Sequence, residues 1–207
     1  NCNIFPGSVI SAIPQDLKFE GEESFVEIGD NTTIRECVTI NRGTKERIYT
    51  KIGSNCLIMA YCHIAHDCEV GNFSIFSNNS TLAGHVTVGD YVILAGMVAV
   101  HQFCTIGDHA FISGGSLVRK DVPPYVKAAR EPLSYVGINS VGLRRRGFSS
   151  KKIKEIQDIY RLLYQKNYNN TQAIEILEAE MVATPERDEI LQFIKDSQRG
   201  IMKGYFN

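Results

Sequence analysis

A six-residue period is the feature of this sequence that most restricts its fold. Every sixth residue from Ile52 to Val118 is apolar, without exception. Four residues after each of these comes a small or medium-sized residue, from Cys56 through Val122. Neither the helical period of 3.6 nor the strand period of 2 keeps this register over such a length. The chain must therefore be a repeat in which each six-residue rung adds one apolar side chain to a shared core.

A second, longer period shows how the rungs are arranged. Gly53, Gly71, Gly89 and Gly107 recur at every third rung, and each directly follows an apolar position. Three rungs make one coil of a triangular prism, and glycine suits a corner with close backbone approach or positive φ. We predict a mainly β fold, the left-handed parallel β-helix of hexapeptide repeats, with a small C-terminal α-helical domain.

The pattern also predicts where the prism is interrupted and where it stops. Two irregular segments, 16–25 and 45–50, are predicted to be loops that leave a corner. The period ends at Pro123 and Pro124, where two prolines should stop sheet pairing. The expected boundaries are therefore 1–123 for the β-helix and 124–207 for a linker and the helical domain. Because Asn1 falls in the middle of the pattern, we expect N-terminal coils to be missing.

Helical signals follow the prolines. One apolar stripe follows a capping serine, Ser149 or Ser150, and contains Ile153, Ile156, Tyr160 and Leu163. A second helix is predicted over 171–181. A third should begin at Thr184 with Pro185 in its first turn. Such a unit would cover the open end of the solenoid.

Composition limits the possible partners and compartment. Lys and Arg number 22 against 23 Asp and Glu, so overall charge gives no reason to expect nucleic acid or an anionic membrane as a partner. No segment approaches the roughly 18 apolar residues of a spanning helix, so stable membrane insertion is not expected. Four of the six cysteines occupy repeat positions, which favours structural small residues and a reducing, cytoplasmic location.

The repeat places histidines from different coils at one corner. His66, His85 and His101 fall at positions 14, 15 and 13 of three successive coils. Adjacent coils should lie about 4.8 Å apart, so Gly84 and Gln102 would stack over His66. His63 belongs to the same coil, whereas His109 belongs to another face. Polar residues at an exposed corner cost little free energy, so histidines there need have no function. The clustering of four histidines nevertheless favours a site whose chemistry uses the imidazole ring.

The neighbours of His66 favour acyl transfer. Asp67 could fix the tautomer of the imidazole, and the N–H of Gly84 could approach an oxyanion closely, although Gly84 could also be an ordinary corner glycine. A base, an orienting acid and a bare amide suffice for acyl transfer to a hydroxyl. Because no serine or cysteine nucleophile is evident beside the base, direct attack by the acceptor is the simpler mechanism.

Several motifs carry a family resemblance that covers essentially the whole chain. They are HIAHD at 63–67, LAGH at 82–85, VHQF at 100–103, DVPPY at 121–125, LRRRGF at 143–148, QDLK at 15–18 and IRE at 34–36. With these motifs the sequence resembles the acyl-[acyl-carrier-protein]–UDP-N-acetylglucosamine O-acyltransferases. The hexapeptide repeat alone would be a weak signal, because many acyltransferases share it.

The resemblance implies the first step of lipid A synthesis, in which an (R)-3-hydroxyacyl group moves from acyl carrier protein to the 3-hydroxyl of UDP-N-acetylglucosamine. It implies that His66 is the general base, that Asp67 orients it and that the Gly84 amide stabilises the oxyanion. Members of the family are homotrimers with sites between subunits. No resident cofactor or metal is expected, because the phosphopantetheine belongs to the carrier protein.

The resemblance also implies a set of substrate-binding residues. His63, His85 and His101 would line the cleft, and Gly114 would set the depth of the acyl groove. Contacts to the sugar nucleotide would come from Gln15, Asp16, Lys18, Gln102, Asn139, Arg145 and Arg146. The chain departs from the family pattern at Asn41, where histidine is common, and at Val141, where a glutamate is expected near the nucleotide.

Three other functions compete with this interpretation. The fold could hold a zinc hydratase with histidine ligands, although the pairing of His66 with Asp67 and the C-terminal helices suit it poorly. An acyltransferase with an acyl-CoA donor would differ only in its donor, and a non-enzymatic scaffold would leave the histidine corner unexplained. The basic run from Arg144 to Lys154 is interpreted either as a solvated helix start or as a surface for an acidic carrier protein and substrate phosphates.

Overall fold

Parallel β-strands wound into a three-faced prism make up most of the molecule. The structure is a computed structural model that describes residues 1–165 and 168–204. The fold is a left-handed parallel β-helix, as the hexapeptide period predicts, and helices follow it in the chain. Successive strands pass from one face to the next, and each pairs with strands of the neighbouring coils on its own face.

Within the described ranges, nine strands form face A: β1 (Asn3–Ile4), β4 (Thr33–Ile34), β7 (Leu57–Ile58), β10 (Ile75–Phe76), β13 (Ile93–Leu94), β16 (Phe111–Ile112), β18 (Val126–Ala129), β19 (Ser134–Ile138) and β20 (Lys203–Gly204). Six strands of the described chain form face B: β2 (Val9–Ala12), β5 (Thr39–Asn41), β8 (His63–Ile64), β11 (Thr81–Leu82), β14 (Ala99–Val100) and β17 (Leu117–Val118). Face C has five in the same ranges: β3 (Phe25–Ile28), β6 (Tyr49–Ile52), β9 (Glu69–Val70), β12 (Thr87–Val88) and β15 (Thr105–Ile106).

Each two-residue strand of the regular coils points one side chain inward. In β8, β11 and β14 the second residue is buried and the first lies at the partly exposed outer surface. The small residues of the repeat fill the corners of the same core, and Cys62 and Cys68 are buried there as free thiols. Burial raises the pKa of Cys62 to about 11, so this thiol remains protonated and serves as a small apolar residue.

Positive φ recurs at the corners, but not at the glycines that mark the coils. Gly71 is needed for close approach instead, because a Cβ there would lie 2.6 Å from the backbone carbon of Gly89. The left-handed conformation falls two residues later, as at Phe73 (φ +56°) and Tyr91 (φ +58°). The expectation of a crowded corner glycine is therefore confirmed for close approach rather than for φ.

The strand register shows the size of the two inserted loops. Asn3 pairs with Thr33, which lies five rungs later in the sequence, whereas Thr33 pairs with Leu57 after four rungs. From Leu57 onward the pairing interval is the regular three rungs, as for Leu57 and Ile75. The two early coils therefore contain two extra rungs and one extra rung of chain, which lie in the loops at 13–24 and 42–48. These loops overlap the predicted interruptions, although Phe25 and residues 49–50 belong to strands.

Sheet pairing does not end at the two prolines, which corrects the expectation that it stops there. Val122 forms a parallel bridge with Ile106, and β18 then pairs in parallel with β16 on face A. Strands β19 and β20 continue the same face beyond β18. Pro123 and Pro124 fit because they occupy the connection between the bridge and β18, where no ladder N–H is required.

Four helices lie in the described C-terminal part: α1 (Ser140–Arg145), α2 (Ser150–Gln165), α3 (Asn170–Glu180) and α4 (Pro185–Asp196). The three predicted helices are present. Ser149 accepts a hydrogen bond from the N–H of Lys152 at the start of α2, and Thr184 caps α4 ahead of Pro185. The short α1 was not predicted. The boundary at residue 123 itself stays a prediction.

The helices are joined to the last coil through buried aromatic side chains. Tyr160 of α2 is fully buried and donates a hydrogen bond to the carbonyl of Pro124. The hydroxyl of Tyr125 donates a hydrogen bond to the carboxylate of Glu189 on α4. None of the described helices combines the length and apolar character needed to cross a bilayer.

Candidate active site

His66 and Asp67 form a hydrogen-bonded pair at the corner between faces B and C, here named the B–C corner (65–68, 83–86 and 101–104). The Nδ1 atom of His66 lies 2.8 Å from Oδ2 of Asp67. Asp67 is fully buried, whereas the His66 side chain keeps 12 % of its surface exposed. Asp67 adopts the left-handed conformation, with φ +58°, which His85 shares at the same position one coil above (φ +61°).

The buried carboxylate of Asp67 accepts further hydrogen bonds from the loop at 42–48. The N–H of Thr44 donates to Oδ1 at 2.9 Å and the Thr44 hydroxyl donates to Oδ2 at 2.8 Å. Burial alone would raise the pKa of Asp67, but the hydrogen bonds from His66 and Thr44 and the charge of His85 bring it below its ordinary value. Asp67 is therefore held ionised despite being buried.

His85 stands one coil above this pair. Its Nε2 lies 3.7 Å from Oδ2 of Asp67 and 3.6 Å from Oε2 of Glu46. Its ring meets the ring of His66 edge-on at a centroid distance of 5.1 Å and stacks on Phe103 at 4.6 Å. Burial lowers the pKa of His85, while the charges of Asp67 and Glu46 act in the opposite direction.

Gly84 lies directly against the imidazole of His66. A Cβ at residue 84 would lie 2.6 Å from Cε1 and 2.7 Å from Nε2 of His66. The missing side chain therefore makes room for the ring of His66. In the described part of the chain the Gly84 N–H has no hydrogen-bond acceptor. The amide can therefore donate to an oxygen bound beside His66.

His63 lies on β8 of face B, just before the B–C corner, whereas His101 and Gln102 lie at that corner two coils above His66. Nδ1 of His63 lies 2.7 Å from the Thr39 hydroxyl, and burial followed by the charge of His66 lowers the pKa of His63. Nδ1 of His101 lies 3.1 Å from the carbonyl of Gln102, and both residues are exposed. These side chains therefore belong to the coil of His66 and to the coil two above it.

Gln15, Asp16 and Lys18 lie in the extra segment at 13–24, outside this cluster. Asp16 accepts a hydrogen bond from the N–H of Lys18 at 3.0 Å, which forms a local turn. The base of this segment is fixed by Asn41, whose amide donates to the carbonyl of Ile13. Within the described residues, no hydrogen bond or ion pair joins Gln15, Asp16 or Lys18 to the histidine corner.

The residues near α1 that were predicted to bind the nucleotide differ in whether their side chains already form contacts within the chain. Asn139 caps α1 and donates to the carbonyl of His109, so its side chain is already bonded. Arg146 donates to the carbonyl of Tyr91 and lies over the Tyr91 ring. Arg145, by contrast, is exposed and lines a groove of about 310 Å³. Val141 lines the same groove and is 55 % exposed, so an apolar side chain stands where the resemblance implies a glutamate.

Gly114 lies about three coils beyond His66, at the corner between faces A and B. It is exposed, and a Cβ there would lie 3.1 Å from the carbonyl oxygen of Gly96. Face B separates this corner from the B–C corner. A groove that joins His66 to Gly114 would therefore run across face B and along about three coil spacings of roughly 4.8 Å each.

Sequence reasoning missed the residues that the loop at 42–48 contributes. Besides Thr44, Arg47 donates a hydrogen bond to the carbonyl of Asp67 at 3.0 Å. Thr50, in β6 just after the loop, accepts a hydrogen bond from the N–H of Asp67 at 2.9 Å. The sequence signal for this loop is the interruption of the hexapeptide period. That interruption predicts where the loop leaves the prism but not the direction in which the loop folds.

The cluster can act as a base and could also present metal ligands. One ligand atom each from His66, Asp67 and His85 lies within 4.8 Å of the others. A cation there would compete for the atoms that form the His66–Asp67 hydrogen bond. The same pair, left intact, leaves Nε2 of His66 facing Gly84 and suits removal of a proton from a hydroxyl.

Comparison with known proteins gives consistent matches. A family model described as UDP-N-acetylglucosamine O-acyltransferase, domain 2, matches residues 121–202, and a bacterial transferase hexapeptide model matches 49–84. An acyl-[acyl-carrier-protein]–UDP-N-acetylglucosamine O-acyltransferase of Stenotrophomonas maltophilia is 45% identical over 97% of this chain and 78% of its own length.

Solved structures agree with these sequence matches. The UDP-N-acetylglucosamine acyltransferase of Bacteroides fragilis superposes with a TM-score of 0.95 at 49% identity, over 98% of this chain and 79% of the other. The corresponding Arabidopsis enzyme gives a TM-score of 0.93 at 41% identity, over 98% and 74% of the two chains.

Proposed function

Since the chain belongs to the acyl-[acyl-carrier-protein]–UDP-N-acetylglucosamine O-acyltransferase family, we propose that its B–C corner is the catalytic centre of that reaction. The enzyme moves an (R)-3-hydroxyacyl group from acyl carrier protein to the 3-hydroxyl of UDP-N-acetylglucosamine, the first step of lipid A synthesis. His66 is the general base, Asp67 orients it, and the Gly84 amide stabilises the oxyanion.

The observation that carries this assignment is the arrangement of two groups, the Asp67 carboxylate and the Gly84 amide, around the imidazole of His66. The ionised Asp67 can only accept hydrogen bonds, so Nδ1 of His66 carries the proton and Nε2 keeps its lone pair. Nε2 faces Gly84, whose N–H can donate to an oxygen bound beside it. Base and oxyanion donor therefore meet on the same side of the ring.

The reaction balances without a covalent enzyme intermediate. Nε2 of His66 takes the proton of the sugar hydroxyl as its oxygen attacks the thioester carbonyl, and Asp67 stabilises the resulting imidazolium. The oxyanion of the tetrahedral intermediate accepts the Gly84 N–H. Collapse breaks the carbon–sulfur bond, and the imidazolium returns the proton to the leaving phosphopantetheine thiolate of the carrier protein.

The remaining predicted residues belong to substrate binding in this proposal. His63, His85, His101 and Gln102 lie on the coils at and above His66, and Arg145 lines the groove beside α1. We assign Gln15, Asp16 and Lys18 to the site of a neighbouring subunit of a homotrimer, because in their own chain they lie apart from the histidine corner. Asn139 lines the same groove, and Arg146 is held beside α1 by its hydrogen bond to the carbonyl of Tyr91. Gly114 marks the end of the acyl groove.

The assignment is tested by measuring transfer from a series of (R)-3-hydroxyacyl carrier proteins to UDP-N-acetylglucosamine, with and without a chelator. Transfer should not depend on metal, and His66→Ala should reduce kcat by a factor of about 10²–10⁴ while the fold is kept. Glu175→Ala, an exposed change on α3, serves as the control. No further cofactor should be required.

Three results would overturn the assignment. A folded His66→Ala enzyme with near-normal kcat would remove His66 from the role of base. Transfer from acyl-CoA at a higher kcat/KM than from any acyl carrier protein would identify the alternative donor instead. Activity that a chelator abolishes and zinc restores would move the function to the metal-dependent alternative.

A further inference from the structure

The loop at 42–48 interrupts the hexapeptide period on the coil directly below His66. Four hydrogen bonds join this loop and the first residues after it to Asp67: two from Thr44, one from Arg47 and one to Thr50. They engage both carboxylate oxygens, the N–H and the carbonyl of Asp67. The loop therefore encloses the residue that orients the proposed base.

We propose that Thr44 is a positioning residue for catalysis, which holds the Asp67 carboxylate in the orientation that receives the proton of His66 Nδ1. The inference rests on the proposed function of His66 and Asp67. Thr44 is 4 % exposed and touches the carboxylate through two separate donors, its N–H and its hydroxyl. Two donors from one residue fix the plane of the carboxylate, which a single hydrogen bond would leave free to rotate.

The chemistry requires such a residue because Asp67 is a fully buried carboxylate. A buried charge is costly unless it is paired and hydrogen-bonded. The ionisable groups that face Asp67 are His66 and His85, with Arg47 on its carbonyl and Glu46 beyond His85. The two Thr44 donors carry no charge, so their support of the Asp67 carboxylate does not depend on the protonation state of either histidine.

Loss of the Thr44 hydroxyl should therefore act on catalysis through Asp67. Without it, Oδ2 of Asp67 keeps only His66 as a close donor, and the pKa of Asp67 rises. Protonation of Asp67 then sets in at higher pH and removes the acceptor that fixes the His66 tautomer. The variant should lose activity earlier than the parent enzyme as the pH falls.

Thr44→Val is the decisive variant, because valine keeps the shape and the backbone N–H but removes the hydroxyl. We expect kcat to fall by about 10–100-fold, KM to change little, and the acid limb of the pH profile of kcat to move to higher pH. Thr44→Ser should restore most of the activity, because it keeps the hydroxyl.

Thr32→Val is the matched control. Thr32 is buried like Thr44, and its hydroxyl donates to the carbonyl of Gly53 and accepts from the N–H of Cys56. The Thr44 hydroxyl similarly donates to Asp67 and accepts from the N–H of Glu46. It lies on the corner between faces C and A, away from Asp67. This control should lower the unfolding temperature without moving the pH profile.

A double-mutant cycle with Asp67→Asn separates positioning from a general loss of stability. If Thr44 acts through Asp67, adding Thr44→Val to Asp67→Asn should reduce kcat by less than two-fold more. Additive losses, or a pH profile that does not move in Thr44→Val, would overturn the proposal. If Thr44→Val does not fold, Thr44→Ala takes its place in the same cycle.

The outcome for His66→Ala keeps this inference distinct from the proposed function. An active His66→Ala enzyme would refute the general-base assignment itself. An inactive His66→Ala enzyme together with a fully active, folded Thr44→Val enzyme would leave that assignment standing and refute only the role of Thr44.

Discussion

Gly84 combines two roles that a sequence cannot separate. As a corner residue it could be small merely because the corner is tight. In the structure its missing side chain is the space that the ring of His66 occupies, and its N–H has no acceptor in the described chain. Any side chain at residue 84 would therefore displace the imidazole before it affected the amide.

Gly84→Ala should inactivate the enzyme by moving the base. A Cβ 2.6 Å from the ring forces His66 to shift, and misplacement of about 1 Å can cost about 10²-fold in rate. We expect kcat to fall by about that factor, with the far-ultraviolet circular dichroism unchanged.

The equivalent substitution elsewhere provides the control for this prediction. Gly96 holds the same place in its rung, but a Cβ there would lie 3.5 Å from the carbonyl of Asn78, an ordinary contact. Gly96→Ala should keep kcat within about two-fold. A Gly84→Ala enzyme as active as Gly96→Ala would show that the ring of His66 has room to move.

At the residue scale, the sequence predicted those site residues whose positions the repeat controls. The interval of one coil is enough to place Gly84 over His66 and to bring His85 near it. The repeat says nothing about Thr44 or Arg47, because a loop outside the register can fold in many directions. Nor does it show that Asn139 and Arg146 are bonded within their own chain, which depends on tertiary contacts of α1.

A column of hydrogen bonds along one corner ties successive coils together. At the corner between faces C and A, the side chain of Asn72 accepts from the N–H of Ser54, and Asp90 accepts from the N–H of Asn72. Asp108 accepts from the N–H of Asp90 in the same way. Backbone donors that face out of the ladder are thereby satisfied by the coil above.

Asn72→Ala should destabilise the prism measurably. It removes the acceptor for the Ser54 N–H and the hydrogen bond that the side-chain amide of Asn72 donates to Asp90. Each of these hydrogen bonds is worth about 1 kcal/mol. We expect the free energy of unfolding to fall by about 1–2 kcal/mol in urea titrations. Asn78→Ala, exposed on another corner, should change it by less than about 0.5 kcal/mol. Equal effects of the two changes would contradict the role of the column.

The junction between α4 and the last coil should make stability depend on pH. Burial raises the pKa of Glu189 to about 7, together with the charges of Asp108 and Glu186 and against the hydrogen bond from Tyr125. Between its ordinary value of 4.5 and about 7 the folded chain binds more protons than the unfolded chain. The free energy of unfolding should therefore fall as the pH rises through this window.

Glu189→Gln tests this junction. The variant cannot ionise at residue 189, so its unfolding temperature should fall less between pH 5 and pH 8 than that of the parent enzyme. Glu180→Gln, at the exposed end of α3, should behave like the parent. Parallel pH profiles for Glu189→Gln and the parent would show that Glu189 does not titrate in this range.

At the scale of the whole molecule, one chain does not bring all the proposed binding residues together. The segment at 13–24 carries Asp16 and Lys18. Its tip exposes Leu17 completely, and Ile13 at its base is 62 % exposed. Apolar side chains exposed at a loop tip are suited to contact with another protein surface. A neighbouring copy that covers this tip would bring Lys18 to a second histidine corner.

Mixing two inactive variants tests a site shared between subunits. His66→Ala and Lys18→Ala chains, unfolded together and refolded as a mixture, should regain activity that neither variant shows alone, because mixed trimers contain some corners with both native residues. Light scattering should give three times the mass of the chain. A monomer, or a mixture no more active than its parts, would refute the shared site.

The overall fold was the most predictable level, because one periodic constraint determines every regular coil. The prediction failed where that constraint ends. Face A continues through β18 to β20 because the chain resumes pairing after Pro124. The short α1 was missed because a six-residue helix leaves little periodic signal and depends on the Asn139 cap and contacts with the last coil.

The sizes of the two early insertions set a rule for how this chain can change its length. The pairing intervals of the two early coils exceed the regular interval by whole rungs, two in the first coil and one in the second. An addition of complete rungs within the ladder leaves every later residue, Ile64 included, facing inward or outward as it did before. A segment that leaves the ladder at a corner and returns to it has the same result, because pairing with the neighbouring coil sets the register of the downstream rungs. A new catalytic loop can thus be acquired at a corner without redesigning the protein beneath it.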